Sequence, residues 1–132
     1  MTKITLQNLF CVFVGGGIGC VCRYLLNLLL ATPVLTIPIY TLLANILGCF
    51  LIGLFFSIFT IKFNFSNELK LLLMVGFCGG LTTFSTFALE LFSFIQQSKF
   101  LMIAYAFISV ISCFISVILG ILLGGVIIKN GY

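Results

Sequence analysis

Polarity along this chain varies on two scales. On the longer scale, four apolar segments, Leu6–Leu30, Ile39–Ile61, Leu69–Phe94 and Leu101–Ile128, are separated by short polar links. Each reaches the roughly 20 residues that a helix needs to cross the hydrocarbon core of a bilayer. The ten-residue alternating segments of a membrane barrel are not visible. The pattern predicts an all-α membrane protein with four transmembrane helices, one domain over residues 1–132 with spans near 6–30, 39–61, 69–94 and 101–128. The links are ATPVLTIP (31–38), with two prolines that a mid-helix position would not tolerate, KFNFSNELK (62–70) and QQSKF (96–100). Ser66 or Asn67 suits a helix cap in the second link, and Glu68 suits the first helical turn. No link is large enough to be a domain, so any chemistry lies among the helices. Four crossings put both termini on one side.

On the shorter scale, polar residues interrupt the spans, and at membrane depth each is a candidate site. In the fourth span Tyr105, Ser109, Ser112 and Ser116 are offset by 0, 4, 7 and 11 residues, which places them within about 60° of arc on one helical face. Such a row is either interhelical glue or the wall of a polar path. The second span carries Thr41 and, one turn on, Asn45, whose amide offers two donors without formal charge. It serves either as a helix-to-helix tie or as a path donor. Gly15, Gly16, Gly17 and Gly19 in the first span read as a close-packing face, and Arg23 near its end as a snorkelling cation or a guard at a pore mouth.

Composition sharpens this picture. The chain is 63% hydrophobic and 6% charged and has no histidine, so a water-soluble domain is excluded and lipid is the main solvent. The first apolar run is too long for a signal-peptide core and reads as a retained span. Lys3, Lys62, Lys70 and Lys129 fall on the terminal side, Lys99 and Arg23 on the other. The positive-inside rule therefore favours cytoplasmic termini by so small a margin that insertion in both directions is compatible with it. The six cysteines lie in apolar segments without CxxC spacing or histidine, and read as reduced packing residues.

The third span holds the most unusual stretch, GFCGGLTTFSTF (76–87). Gly79-Gly80 followed by Thr82-Thr83 is expected to loosen or break the helix, and a break at this depth needs cover from protein or a wet cavity. Freed carbonyls suit a small hard cation. Phe84 and Phe87 present ring edges of positive electrostatic character, which, like hydroxyl and amide hydrogens, favour an anion. With no Lys or Arg at the centre, an anion would be held weakly enough to leave, as conduction requires.

GGGIGCVCRY (15–24), TLLANILGCF (41–50) and above all GFCGGLTTFSTF resemble the Fluc fluoride channels, also called CrcB, in order and over essentially the whole chain. The resemblance implies an antiparallel, dual-topology homodimer with a broken third helix and two pores. It implies passive fluoride export across the bacterial inner membrane, which relieves toxicity. It also implies one structural Na+ on the dimer axis, held by backbone carbonyls that match Gly79 and Thr82. The path residues it implies are Asn45, Phe84 and Phe87, with Thr41, Ser85, Tyr105, Ser109, Ser112 and Ser116 as further donors and Arg23 near a vestibule. Glu90, one turn beyond Phe87, would repel an anion unless protonated or paired, and is expected outside the path or at an interface. Two other classes compete. A small proton-coupled exporter of cationic drugs needs a membrane-buried carboxylate, and Glu90 is the single one within the spans. A non-transporting assembly subunit would need only the glycine contacts.

Overall fold

The computed structural model describes residues 5–30, 37–61 and 65–129. Helix α1 is Leu6–Leu30 and α2 is Ile39–Ile61. The third span, Asn67–Gln97, comprises α3 (67–81) and α4 (Phe84–Gln97), and α5 is Lys99–Lys129. Four helical spans are long and apolar enough to cross a membrane, and the chain is a multi-pass membrane protein. The expected boundaries agree within three residues. Lys3 and Lys62, on which the orientation argument partly rests, lie outside the described residues, as does most of the 31–38 link.

Local chemistry sets the ends. Pro38 sits just before α2, where its missing N–H costs nothing, and its carbonyl accepts from Leu42 N–H. Ser66 is the cap of α3, accepting from Leu69 N–H at 3.3 Å. The expected 96–100 link contracts to one residue, because Ser98 serves both neighbours. Its N–H bonds the Phe94 carbonyl, and its hydroxyl accepts from Leu101 N–H.

The packing is that of a lipid-solvated bundle. Large side chains such as Phe10, Phe13, Leu29, Phe107 and Phe114 face outward, whereas Thr41, Ser57, Thr83, Ser109 and Ser116 are buried. Glycine sets the approach of the backbones. A Cβ on Gly15 would collide with the Leu72 carbonyl, one on Gly19 with the Phe77 carbonyl and one on Gly80 with the Gly16 carbonyl, so α1 lies directly on α3. The α2–α5 pair repeats the device. A Cβ on Gly53 would strike the Val117 carbonyl, and one on Gly120 the Phe50 carbonyl. Residues Leu71–Cys78 of α3 adopt π-helical hydrogen bonding, a wider turn that the sequence did not announce and that coincides with this contact to α1.

Candidate functional site

The third span leaves the helical conformation at the threonines, not at the glycines. Gly79 keeps helical dihedrals (φ −64°, ψ −36°), whereas Thr82 (−80°, 155°) and Thr83 (−148°, 122°) are extended. The physical reason is side-chain chemistry. β-Branched threonine tolerates extended backbone well, and both hydroxyls bond locally. Thr82 Oγ1 donates to the Cys78 carbonyl at 3.0 Å, while Thr83 Oγ1 caps α4 by accepting from Thr86 N–H at 3.3 Å.

Asn45 secures the extended pair from α2. Its Oδ1 accepts from Thr83 N–H at 2.7 Å, and its Nδ2 donates to the Thr83 carbonyl at 3.2 Å. The side-chain amide thus imitates a strand partner for one residue, and the second Nδ2 hydrogen is not needed by this pair. In a continuous helix, Thr83 N–H would bond the Gly79 carbonyl and Thr86 N–H the Thr82 carbonyl. Both donors are engaged elsewhere, by Asn45 Oδ1 and Thr83 Oγ1 respectively. The carbonyls of Gly79 and Thr82 therefore lack their helical donors, and a Cβ built on Gly79 meets nothing within 4 Å.

Beyond the extended pair, a polar cluster joins three helices. Glu90 on α4 accepts from Thr41 Oγ1 of α2 at 2.5 Å and from Tyr105 Oη of α5 at 2.8 Å. Thr41 and Tyr105 are 1% and 4% exposed, so the carboxylate fixes two hydroxyls that have no water to fall back on. Sequence spacing expects Glu90 outside the path unless protonated or paired; the pairing is present, but no local spacing announces its two partners. The available signal was that Glu90 is the one carboxylate within the spans and lies one turn from Phe87. Thr83 Oγ1 also lies 3.1 Å from Thr86 Oγ1 and 3.3 Å from Ser85 Oγ, so the start of α4 bears a knot of three hydroxyls.

The rings follow the same line. Phe84 and Phe87 have centroids 5.7 Å apart, Phe87 and Tyr105 5.6 Å, and Phe94 stands edge-on to Tyr105 at 5.4 Å. Phe87 is buried at 7% exposure, but Phe84 is 79% exposed and juts from the bundle. On α5, Ser109 and Ser116 are both buried. Ser112 differs from its neighbours, because its hydroxyl donates to the Ser109 carbonyl of its own helix.

Two recesses flank the extended pair. A polar one of about 200 Å³ is lined by Arg23, Asn27, Tyr40, Thr41, Thr83 and Thr86, among others. Asn27, Tyr40 and Thr86 were not singled out from sequence, and Thr83 only as a residue that loosens the helix. The other, an apolar groove of about 550 Å³, runs along Asn45, Gly48, Val75, Gly79, Thr82 and Phe84. Arg23, Thr41, Asn45, Phe84, Phe87 and Tyr105 thus gather around one kink, but among the expected donors the hydroxyl hydrogens of Thr41 and Tyr105 are committed to Glu90 and that of Ser112 to its own helix. Among the described residues no group of three or more His, Cys, Asp or Glu side chains is placed to hold a metal ion.

Comparison with known proteins agrees with this architecture. Residues 10–121 match the family described as "CrcB-like protein, Camphor Resistance (CrcB)". The chain is 43% identical over 93 residues to fluoride-specific ion channel FluC 1 of Yersinia pseudotuberculosis, covering 70% of this chain and 73% of the relative. It is 45% identical over 95 residues to the fluoride-specific ion channels FluC of Escherichia coli O139:H28 and Shigella boydii serotype 18, covering 72% of this chain and 75% of each. With the four spans and most of the chain aligned, the protein belongs to the CrcB family.

Proposed function

We propose that the protein is a fluoride-specific channel that lets the anion leave the cell passively through the inner membrane. The observation that carries this reading is the neutral, donor-rich kink. Hydroxyls and one amide meet at Thr83 and Asn45, Phe84 borders them with its ring 5.7 Å from that of Phe87, and the cation Arg23 lies in the neighbouring recess and not in this groove. Such a route exchanges water for several weak donors and releases its cargo readily. The names of the FluC relatives support the same substrate.

A second, inverted copy completes the conduit. Phe84 and the apolar groove beside it are open in one copy, so a single chain does not enclose a path. Two kinks meeting on a two-fold axis would bring four carbonyls, from Gly79 and Thr82 of each copy, to one Na+. The ion would be structural and would replace the donors that those oxygens lack. Glu90 stays beside the route because both its oxygens are engaged by Thr41 and Tyr105, which also argues against the exporter reading, where the carboxylate must be released to substrate.

The test is fluoride efflux from liposomes containing the purified protein, driven by a potassium gradient with valinomycin. Rapid release of fluoride with chloride retained is expected. Proton-coupled exchange of an organic cation without fluoride release would overturn the proposal.

A further inference from the structure

Three cysteines that appear scattered in sequence converge in space. Cys49 of α2, Cys78 of α3 and Cys113 of α5 line one groove together with the thioether-bearing Met74. Cys49 and Cys113 are neighbours in this groove, one from each of two packed helices. All six cysteines are free, and the other three, Cys11, Cys20 and Cys22, belong to α1 and lie outside this groove. The remaining wall is aliphatic, aromatic or neutral polar, with no carboxylate, lysine or arginine.

We propose that Cys49 and Cys113 form a binding site for a soft monovalent d10 cation, copper(I) or silver(I). Sulfur ligands select such ions, whereas hard divalent cations favour carboxylate oxygens, and this wall carries no carboxylate. The absence, among the described residues, of a group of three or more classical ligands argues against a closed zinc-type cage and leaves the two-coordinate geometry that these ions accept. On binding, the Cys49 S–H bond breaks, its proton goes to water, and a metal–sulfur bond forms. The Cys113 sulfur donates a lone pair to the same ion while remaining protonated, and nothing is oxidised or reduced. The product carries no net charge, which suits an apolar wall better than a bare cation would. Met74 and Cys78 stand in the same groove as further soft donors.

The consequence for transport follows from position. The same groove is bordered by Asn45, Thr83 and Phe84, so a bound ion would alter the very residues assigned to the fluoride route. This consequence rests on the channel reading, whereas binding itself does not. Purified full-length protein in chloride-free detergent buffer is titrated with silver nitrate. Bound silver per chain and silver–thiolate ultraviolet absorption are recorded for the wild type, for Cys49→Ser with Cys113→Ser, and for Cys11→Ser with Cys20→Ser and Cys22→Ser. The first equivalent should weaken at least tenfold in the α2–α5 double variant and persist in the α1 triple variant. The opposite ordering, or equal affinity in all three proteins, overturns the proposal. The single variants Cys49→Ser and Cys113→Ser carry the test should the double variant fail to fold. In liposomes, one equivalent of silver should slow fluoride efflux at least tenfold in the wild type and leave the double variant unaffected. If silver-free wild type releases no fluoride, the channel reading fails while the binding comparison still stands.

Discussion

Replacing Asn45 by leucine tests whether the kink in the third span depends on one side chain. Leucine nearly matches asparagine in size, so the lesion is chemical. Two hydrogen bonds disappear, from Thr83 N–H at 2.7 Å and to the Thr83 carbonyl at 3.2 Å. Thr83 is 7% exposed, so water does not take over. A buried backbone group left unpaired costs about 1–3 kcal/mol, and two cost about 2–6 kcal/mol. At about 1.4 kcal/mol per factor of ten, the folding equilibrium constant should fall by roughly 30-fold or more. Asn45→Asp separates the two bonds, because a carboxylate still accepts from Thr83 N–H but offers nothing to the carbonyl. The new charge at membrane depth opposite the Thr83 carbonyl should destabilise at least as much as leucine does, and fluoride flux should fall through repulsion of the anion. Reversible denaturant unfolding in detergent micelles, followed by circular dichroism, gives the stability series, and the liposome assay gives the flux. If Asn45→Leu unfolds within about 0.5 kcal/mol of the wild type, the kink is held by something else and the reasoning fails.

Three further expectations follow from geometry. Gly19→Ala should destabilise by at least about 1–3 kcal/mol because its Cβ meets the Phe77 carbonyl, whereas Gly17→Ala, with nothing within 4 Å, should be neutral or slightly stabilising; equal melting temperatures would refute the backbone contact. Phe84→Ile should leave the stability of the single chain unchanged, and Phe87→Ile should lower it by about 1–2 kcal/mol through lost ring contacts with Phe84 and Tyr105, yet both should abolish fluoride flux; full flux in both removes the rings from the mechanism. Purification with every trace of sodium replaced by a large organic cation should dissociate or inactivate the assembly, and unchanged conduction would dismiss the axial ion.

The spans were legible because lipid demands long apolar runs, and their ends fell where proline and serine chemistry put them. The location of the kink was legible only to within a few residues. The expected loosening covered Gly79-Gly80 and Thr82-Thr83 together; among the described residues no glycine has positive φ, and of these four the two threonines carry the extended backbone. Gly80 is instead needed for the approach of α1. Helical periodicity correctly placed Tyr105, Ser109 and Ser116 on a buried face, but it did not distinguish a hydroxyl turned to its neighbours from one turned to its own backbone, as in Ser112. The role of Glu90 was hidden for a different reason. Its partners Thr41 and Tyr105 lie 49 and 15 residues away, and no local spacing announces such a meeting.

The lone Ser98 joint between α4 and α5 has a mechanical meaning. One residue reaches at most about 3.6 Å, less than the 5.4 Å pitch of a helix, so these two rods have no slack with which to slide by a turn. Glu90 and Tyr105 sit on opposite sides of that joint, and their register is locked by connectivity before any hydrogen bond forms. Gating by lengthwise displacement is thereby denied to this hairpin. What freedom it keeps is torsional, in the rotamers of the side chains that it holds face to face.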